Sequence, residues 1–402
     1  MFFERKPKFA VLGAGHGGQA MAAHLALMGY EVNLFNKTAT RIEAVRKIGG
    51  IHLSGVFNGF GKLKKVTTDL RQAIAGVDII MIVTPATAHE FFARALVPVL
   101  EDGQIVVLNP GRTGGALEFA QILKEEGFKK KCYIAETQTF LYASRVIGPA
   151  QARIFGLKNI VPIAAFPAVD TPVVYNKLHR VFPQFTPAKN ILKTSLENIG
   201  AVFHPVPTIL NVGRIESTRG DFTYYHEGIS PSVARFAQMV DDERMAVALR
   251  LGVDVLTARD WMRKVYGVQG NTLYEVFQNN RQYDGIKAPA TIDHRYIYED
   301  VPMSLVPISS LGRMLGVPTP AINTIIDMAC LLHERDYWAI GRTVEKLGLA
   351  GMTVKEIQSY VETGKVKVRR PSKVSRFTVG SEVERVVDLG HIIREREGGV
   401  DN

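Results

Sequence analysis

The sequence predicts an α/β domain with a parallel sheet, followed by an all-α domain. Between residues 1 and 185, short apolar runs alternate with helix-like segments, as they do where helical crossovers join parallel strands. Between residues 186 and 363, strand signals almost vanish and apolar residues recur at helical spacing. Residues 364–402 form a tail rich in Lys, Arg and Glu, so the 402 residues divide into two domains and a basic tail.

The α/β domain begins with a strand, a glycine-rich turn, a helix and a second strand. Apolar residues Phe9 to Leu12 precede the turn GAGHGG, and the second apolar run is Val32 to Phe35. This order within about 30 residues makes GxGxxG indicative of a Rossmann-like dinucleotide-binding domain. In such a turn Gly13 allows the tight bend, Gly15 lets a pyrophosphate approach the backbone, and Gly18 lets the helix pack on the strand. We expect these cofactor contacts: Gly13, Ala14, Gly15, His16 and Gly18.

The residues after the second strand indicate which dinucleotide binds. An acidic side chain at this position usually holds the ribose hydroxyls of NAD, but here the position carries Asn36. The following Lys37, Thr38 and Arg41 would help to attract the 2′-phosphate of NADP, which a carboxylate would repel. This run also resembles the Asn-Arg-Thr pattern of NADP-preferring 6-phosphogluconate dehydrogenases. The sequence therefore favours NADP(H), with NAD(H) retained as an alternative cofactor, and an ordinary solvated basic loop is the competing explanation.

The rest of the α/β domain continues the alternation of strands and helices. Residues 39–48 predict a short helix, and glycine-spaced apolar pieces between residues 51 and 67 predict small antiparallel strands. Val77 to Val83 is apolar throughout, as in a parallel strand buried on both faces. Turns at the carboxyl ends of parallel strands line the ligand crevice, so Thr84 and Pro85, which follow this strand, are expected beside the cofactor.

The all-α domain is predicted from helical periodicity and from helix-end signals. Ser230 followed by Pro231 matches an N-cap followed by a proline in the first turn, and the apolar residues after them lie on one face of a long helix. Further segments with helical character are 190–199, 257–265, 273–279, 305–315, 321–335 and 337–347. Helix packing alone explains most of these apolar residues, so they do not identify a site.

Composition and charge exclude several classes of protein. A hydrophobic content of 46% and a charged content of 22% are ordinary for a globular protein, and no apolar run approaches the roughly 20 residues of a membrane span. The N-terminus lacks the apolar core of a signal peptide, and Cys132 and Cys330 lie far apart, which favours a reducing, cytoplasmic setting without a metal site. The net charge of +10 could suggest nucleic acid, but the basic residues are spread along the chain apart from a cluster at Lys365 to Arg370. An anionic cofactor and carboxylate substrates explain a basic cleft equally well, so we expect neither nucleic acid nor a membrane as a partner.

Two segments of the all-α domain carry candidate catalytic residues. A hydride-transfer enzyme needs a proton donor and acceptor, and a charge that orients the substrate. His204 ends a helix and is held by Pro205 and Pro207, an unusual place for a solvated histidine. In the second segment, Arg295 and Asp300 are close enough in sequence to enter one site. The alternative explanations are a purely structural role for His204 and a surface ion pair in the segment of Arg295 and Asp300.

The all-α domain also contains three longer motifs. They are NxxxxxHPxPxxLNxGRIE at residues 198–216, YHEGISPSVARFAQMVDDER at residues 225–244 and HRYIYEDVP at residues 294–302. These motifs resemble the octopine/nopaline dehydrogenase family, the opine dehydrogenases, and are much more specific than GxGxxG. The resemblance extends from the glycine-rich turn to about residue 335, and the basic tail is not part of it.

The resemblance implies a two-domain architecture like that of 6-phosphogluconate dehydrogenase, and a specific reaction. Opine dehydrogenases use NAD(P)H to condense the amine of an amino acid reductively with a 2-oxo acid, giving an N-(1-carboxyalkyl) amino acid, and they catalyse the reverse oxidation. By this resemblance His204 and Asp300 form the acid/base pair and Arg295 binds the carboxylate of the oxo acid. An imidazole suits proton transfer near neutral pH. Asn198 and Asn211 are expected to contact the nicotinamide or the substrate, with helix-end caps as the alternative.

Two other functions are compatible with this architecture. A ketopantoate reductase-like enzyme, that is, another two-domain NADP-dependent reductase of 2-oxo or 2-hydroxy acids, would commonly use a lysine of the helical domain, and none lies near His204 in the sequence. A non-catalytic NADP-sensing protein would not need the set of His204, Arg295 and Asp300. The sequence leaves open the amino acid, the oxo acid, the direction of the reaction and the oligomeric state, with a homodimer as one option.

Overall fold

The computed structural model describes residues 5–366, so most of the basic tail lies outside the described residues. Within them the strands form two sheets. The strands are β1 (Phe9–Leu12), β2 (Val32–Phe35), β3 (Gly50–Gly55), β4 (Gly59–Lys62), β5 (Lys65–Thr67), β6 (Ile79–Ile82), β7 (Ile105–Leu108), β8 (Tyr133–Thr137), β9 (Tyr142–Gly148), β10 (Gln151–Leu157), β11 (Val161–Phe166) and β12 (Phe185–Pro187).

The larger sheet has eight strands in the order β12-β11-β8-β7-β6-β1-β2-β5. Its strand β1 pairs in parallel with β2 and β6, and β6 pairs in parallel with β7. Near one edge, β11 runs antiparallel to β8. The carboxyl ends of β1, β6 and β7 therefore meet at one edge of the sheet. The predicted α/β fold with a parallel sheet is confirmed.

The central strands are buried on both faces, which places a hydrophobic core on each side of the sheet. Along β1, Phe9 and Val11 face one core, whereas Ala10 and Leu12 face the other, as the two-residue period of a strand requires. The helices of this part of the chain are α1 (His16–Leu27), α2 (Glu43–Ile48), α3 (Leu70–Ile74), α4 (His89–Leu96), α5 (Gly115–Glu125) and α6 (Thr171–His179).

The smaller sheet has the order β4-β3-β10-β9 and lies against α1. Antiparallel pairing of β3 with β4 agrees with the strands predicted between residues 51 and 67, but the third piece, β5, pairs in parallel with β2 in the larger sheet. The β9–β10 hairpin was not predicted. Its strand β10 pairs with β3 across a long sequence separation, Gln151 opposite His52, and local patterns do not report such pairing.

Between β12 and residue 366, the regular structure is mostly α-helical. The helices are α7 (Ile191–Leu196), α8 (Gly200–Phe203), α9 (Pro205–Leu210), α10 (Val212–Thr218), α11 (Pro231–Arg250), α12 (Ala258–Tyr266), α13 (Leu273–Gln278), α14 (Arg295–Tyr298), α15 (Val306–Leu315), α16 (Pro320–His333), α17 (Tyr337–Ile340) and α18 (Val354–Thr363). The helix predicted at 337–347 ends early, because the backbone extends at Gly341 and packs there against Val306. Within residues 5–366, no helix combines the length and apolar character needed to cross a membrane.

A buried arginine ties this helical part to the larger sheet. Arg342, just after α17, is fully buried. Its Nε donates to Glu118 of α5 at 2.6 Å, and its Nη1 donates to the carbonyl oxygens of Gly111 and Thr113 at 2.9 and 3.3 Å. These bonds fix the loop that follows β7. That loop lies at the ligand-binding edge of the sheet and carries a residue of the candidate site.

Candidate active site

The glycine-rich turn between β1 and α1 has the shape that a dinucleotide requires. Gly13 has a φ of +108°, and a Cβ there would overlap the carbonyl oxygen of Val83. A Cβ at Gly18 would overlap the carbonyl oxygen of Gly13, because the helix starts directly against the strand. A Cβ at Gly15 would meet no atom within 4 Å. The fold itself needs two of the glycines, while Gly15 borders open space.

The first turn of α1 is suited to binding an anion. Its N-cap is Gly15, so no side chain caps its N–H groups, and no acidic residue lies in the turn. Uncapped N–H groups and the helix dipole favour a phosphate at such a position. His16 is anchored here, because its Nδ1 accepts a hydrogen bond from the N–H of Val146 in β9 at 2.9 Å. The residues present therefore fit the pyrophosphate of a dinucleotide.

Asn36 joins the glycine-rich turn to the segment after β2. Its Oδ1 accepts a hydrogen bond from the N–H of Ala14 at 3.0 Å, and its Nδ2 donates to the carbonyl oxygen of Thr38 at 3.0 Å. The ammonium group of Lys37 lies over the ring of Phe91, 4.6 Å from its centroid. The predicted 2′-phosphate position thus carries an amide that holds both loops together.

Further cations lie close to the turn. Burial, and then the positive charges of Arg145 and Arg41, lower the pKa of His16. Arg41 also lines a cavity of about 460 Å³, together with Lys47 and Glu43. Positive charge is therefore concentrated near the residues expected to hold the cofactor phosphates.

Thr84 and Pro85 come just after β6, separated from it by Val83, and Thr84 lies beside the turn. A Cβ at Gly13 would overlap the Thr84 methyl group, which shows how closely the two segments approach. The Oγ1 of Thr84 is buried and has no hydrogen-bond partner among the described residues. A buried hydroxyl without a partner calls for an explanation, and a ligand group supplies one.

His204 and Asp300 meet where the helical part faces the loop after β7. His204 lies between α8 and α9, and its Nδ1 is 2.9 Å from Oδ2 of Asp300, which is completely buried. The other carboxylate oxygen of Asp300 lies 2.6 Å from Nη1 of Arg112. The ring of His204 stacks on Tyr296 with centroids 4.1 Å apart, so its plane is fixed as well. The fold thus brings the predicted histidine and aspartate into direct contact.

This pair belongs to a chain of alternating charges. Arg112 donates from Nε to Oε1 of Glu299 at 3.1 Å, and Oε2 of Glu299 lies 2.7 Å from Nη2 of Arg295. Burial acts to raise the pKa of Glu299, but the charges of Arg112 and Arg295 outweigh it and lower the pKa to about 2. The groups alternate in the order Arg295, Glu299, Arg112 and Asp300. Their two positive and two negative charges balance.

A cavity of about 410 Å³ opens beside this network. Three of the residues predicted to bind substrate or to catalyse line it: His204, Arg295 and Asn198. Asn198 donates from Nδ2 to the hydroxyl of Ser304 at 3.1 Å. Asn211 is not among the residues that line this cavity, and its amide donates to the carbonyl oxygens of Pro207 and Gly228, each at 2.8 Å. Its expected contact with the nicotinamide or the substrate stays a prediction, with the helix-end role as the alternative.

Sequence reasoning did not single out three charged residues of the site: Arg112, Glu299 and Lys158. Arg112 follows β7, and its position beyond the carboxyl end of a parallel strand is the feature of the sequence that could have marked it as a site residue. Glu299 adjoins Asp300, and only the fold shows which carboxylate reaches His204. Lys158 follows β10 and lines the cavity, whereas no lysine of the helical part does so within residues 5–366. The lysine typical of a ketopantoate reductase-like enzyme is therefore missing from this cavity.

Comparisons with known proteins identify the family. A family model described as "NAD/NADP octopine/nopaline dehydrogenase, alpha-helical domain" matches residues 187–333, and one for the "NAD binding domain of 6-phosphogluconate dehydrogenase" matches residues 8–128. An opine dehydrogenase of Arthrobacter sp. (strain 1C) is 41% identical over 355 residues, which cover 88% of this chain and 98% of that protein. This chain belongs to the opine dehydrogenase family. The predicted family and the NAD(P)-dependent dehydrogenase class, acting on CH–NH bonds, are confirmed.

Solved structures share the fold. Octopine dehydrogenase in complex with NADH and agmatine matches with a TM-score of 0.75 at 21% identity, covering 91% of this chain and all of that one (100%). Yersinopine dehydrogenase with bound NADP+ matches with a TM-score of 0.70 at 15% identity, covering 89% and 98%. Since one structure holds NADH and the other NADP+, the fold accommodates both dinucleotides and does not by itself set the preference of this opine dehydrogenase.

Alanine substitutions separate the two roles of the glycines. Gly15→Ala should leave the Tm within about 2 °C of the parent, because its Cβ meets open space, yet weaken NAD(P)H binding at least about 10-fold by occupying the path of the pyrophosphate. Gly18→Ala should lower the Tm, because its Cβ overlaps Gly13. Thermal melts and NAD(P)H fluorescence titrations measure the two effects. Equal losses of stability in both variants would contradict this division.

Proposed function

We propose that this opine dehydrogenase joins an amino acid to a 2-oxo acid with His204 and Asp300 as its acid/base pair. One observation above all supports the assignment: Nδ1 of His204 lies 2.9 Å from the buried carboxylate of Asp300, at the wall of a cavity. The reaction is the reductive condensation of the family, and its product is an N-(1-carboxyalkyl) amino acid. The reverse oxidation uses the same groups in the opposite order.

The contact with Asp300 gives each ring nitrogen of His204 a role. A carboxylate accepts hydrogen bonds, so Nδ1 carries a proton and Nε2 keeps a lone pair for the substrate. Nε2 then takes a proton from the attacking amine and returns it to the oxo oxygen. A second proton, taken up from solvent by the same nitrogen, completes the water that leaves, and the imine that remains is protonated. Bound NAD(P)H supplies the hydride that reduces the resulting imine. Each proton transfer therefore passes through one atom of this chain.

Arg112 supports the pair from the opposite side of the carboxylate. Its Nη1 lies 2.6 Å from Oδ1 of Asp300, so both oxygens of that side chain are held. A carboxylate fixed in this way orients the imidazole and stabilises its protonated form. Because Arg112 also bonds to Glu299, the guanidinium itself is held between two acids. We assign Arg112 as a positioning residue.

Arg295 is proposed to bind the carboxylate of the oxo acid. Its Nε and Nη2 lie 2.8 and 2.7 Å from Oε2 of Glu299, which fixes the guanidinium plane and leaves Nη1 for a ligand. The side chain is 45% exposed and lines the cavity. A planar guanidinium placed there would orient the oxo acid as well as attract it.

NADP(H) is proposed as the preferred cofactor, with NAD(H) as the weaker one. Asn36 replaces the acid that would hold the ribose of NAD, and its amide already bonds to the N–H of Ala14. Lys37 and Arg41 follow within one short loop. An amide and two cations favour a phosphate at the 2′ position, where a carboxylate would repel it.

A matrix of amino acids against 2-oxo acids, run with NADPH and NADH, tests the reaction itself. We expect NAD(P)H to be consumed only when both substrates are present, and mass spectrometry to detect the secondary amine that joins them. Reduction of a 2-oxo acid without any amine would instead support a ketopantoate reductase-like enzyme. Binding of NAD(P)H without turnover of any pair would support a sensing protein.

Substitution of the histidine tests the acid/base pair. His204→Ala should lower kcat by about 10²- to 10⁴-fold or more, because no other group replaces Nε2, while NADPH binding stays nearly intact. His226→Ala is the matched control, since His226 lies in the same part of the chain but does not line the cavity. Stopped-flow assays measure kcat, and NADPH fluorescence measures cofactor binding. Turnover retained in His204→Ala would eliminate His204 as the acid/base group.

Substitution of Asn36 tests the cofactor preference. Asn36→Asp keeps an oxygen for the N–H of Ala14 but places a negative charge near the 2′-phosphate. We expect the Kd for NADPH to rise about 10-fold more than the Kd for NADH, because the new carboxylate would repel the 2′-phosphate that only NADPH carries. Asn58→Asp, in an exposed turn of the smaller sheet, controls for the added charge. An unchanged ratio of the two Kd values would contradict the proposed phosphate position.

A further inference from the structure

The four charges of the network beside His204, two guanidinium groups and two carboxylates, sum to zero. Arg112 lies within ion-pair distance of both Asp300 and Glu299, and Arg295 pairs with Glu299. The carboxylates of a 2-oxo acid and of an amino acid would therefore meet two arginines, Arg112 and Arg295, that are already paired with acids. Any surplus of positive charge must come from other residues that line the cavity.

Two such cations exist in the cavity wall, Arg145 and Lys158. Neither has an acidic partner within residues 5–366: Arg145 donates to the carbonyl oxygen of Ser144, and Lys158 donates from Nζ to that of Phe140 at 2.7 Å. Glu197 also lines the cavity, but its carboxylate pairs with Lys193 and accepts hydrogen bonds from Gln138 and from the N–H of Leu256.

The two cations differ in position. Arg145 belongs to β9 and acts on both sides of the site: with burial it lowers the pKa of His16 in the glycine-rich turn, and it opposes the rise that burial causes in the pKa of Tyr296 beside His204. Lys158 lies deeper. Burial, and then the charge of Arg112, lower the pKa of Lys158 to about 8. An ammonium group in that position is destabilised until an anion enters, and a substrate carboxylate would stabilise its charged form.

We propose that Lys158 binds the α-carboxylate of the amino-acid substrate. This inference rests on the proposed reaction, in which the product carries two carboxylates on either side of one nitrogen. Arg295 serves the carboxylate of the oxo acid, and Lys158 supplies the separate positive charge that the second carboxylate needs. The amine between them then lies on the side of His204.

The position of Lys158 also agrees with the space that an amino-acid side chain requires. Lys158, Trp261 and Tyr266 line both the cavity beside His204 and a second cavity of about 410 Å³. Leu157 and Leu256 line the second one. A carboxylate held at this junction leaves the side chain of the substrate free to occupy the second cavity.

The test compares the amino acid with the amine that lacks its α-carboxylate. With the most active pair from the substrate matrix, Lys158→Met should raise the KM for the amino acid about 10- to 100-fold, the range for a lost hydrogen bond to a charged group, and leave the KM for the oxo acid within about 3-fold. The corresponding amine, which lacks the carboxylate, should be used equally well by both proteins. Lys158→Arg should recover most of the loss because it keeps the positive charge.

Exposed Lys177 on α6 gives the control variant Lys177→Met, which should behave as the parent. A rise in the KM for the oxo acid, or an equal loss for the amine and the amino acid, would overturn the assignment. Calorimetric titration of the NADPH-bound protein with the amino acid and with the amine gives the same comparison without turnover. A loss specific to the carboxylate would support Lys158 even if the proposed reaction failed, whereas turnover without that specific loss would reject Lys158 alone.

Discussion

The salt bridge between Asp300 and Arg112 is the contact on which the candidate site depends. Arg112 comes from the loop after β7 and Asp300 from the helical part, so the bridge exists only when the two parts are docked. It holds the carboxylate that orients His204, and Arg342 fixes the same loop from the other side. The contact that positions the proposed acid/base pair is therefore also one that attaches the helices to the sheet.

Such a network is not an efficient source of stability. Taking charges out of water costs several kcal/mol for each ion, and apolar side chains of similar volume often stabilise a fold as well or better. Glu299 and Asp300 are nevertheless almost fully buried, each beside a guanidinium group. The arrangement is better explained by the need to hold His204 in one orientation beside the cavity than by the stability of the fold.

Local signals in the sequence predicted the first strand, the glycine-rich turn and the helix after it, because these contacts lie within one short segment. The longer motifs directed attention to His204 and Asp300, which meet in the structure. The β9–β10 hairpin and Arg112 were missed because their partners are distant in the chain. For Asn211 the sequence leaves both roles open, because a helix-end amide and a ligand-binding amide look alike in sequence.

The smaller sheet serves both parts of the candidate site. Its strand β9 holds His16 of the glycine-rich turn through the N–H of Val146, whereas Lys158 enters the cavity one residue past the end of β10. Because Val146 bonds through its backbone, a replacement of the Lys158 side chain changes the charge of the cavity while that contact remains. Variation in the acids that the cavity accepts and constancy of the glycine-rich turn are therefore compatible within one hairpin.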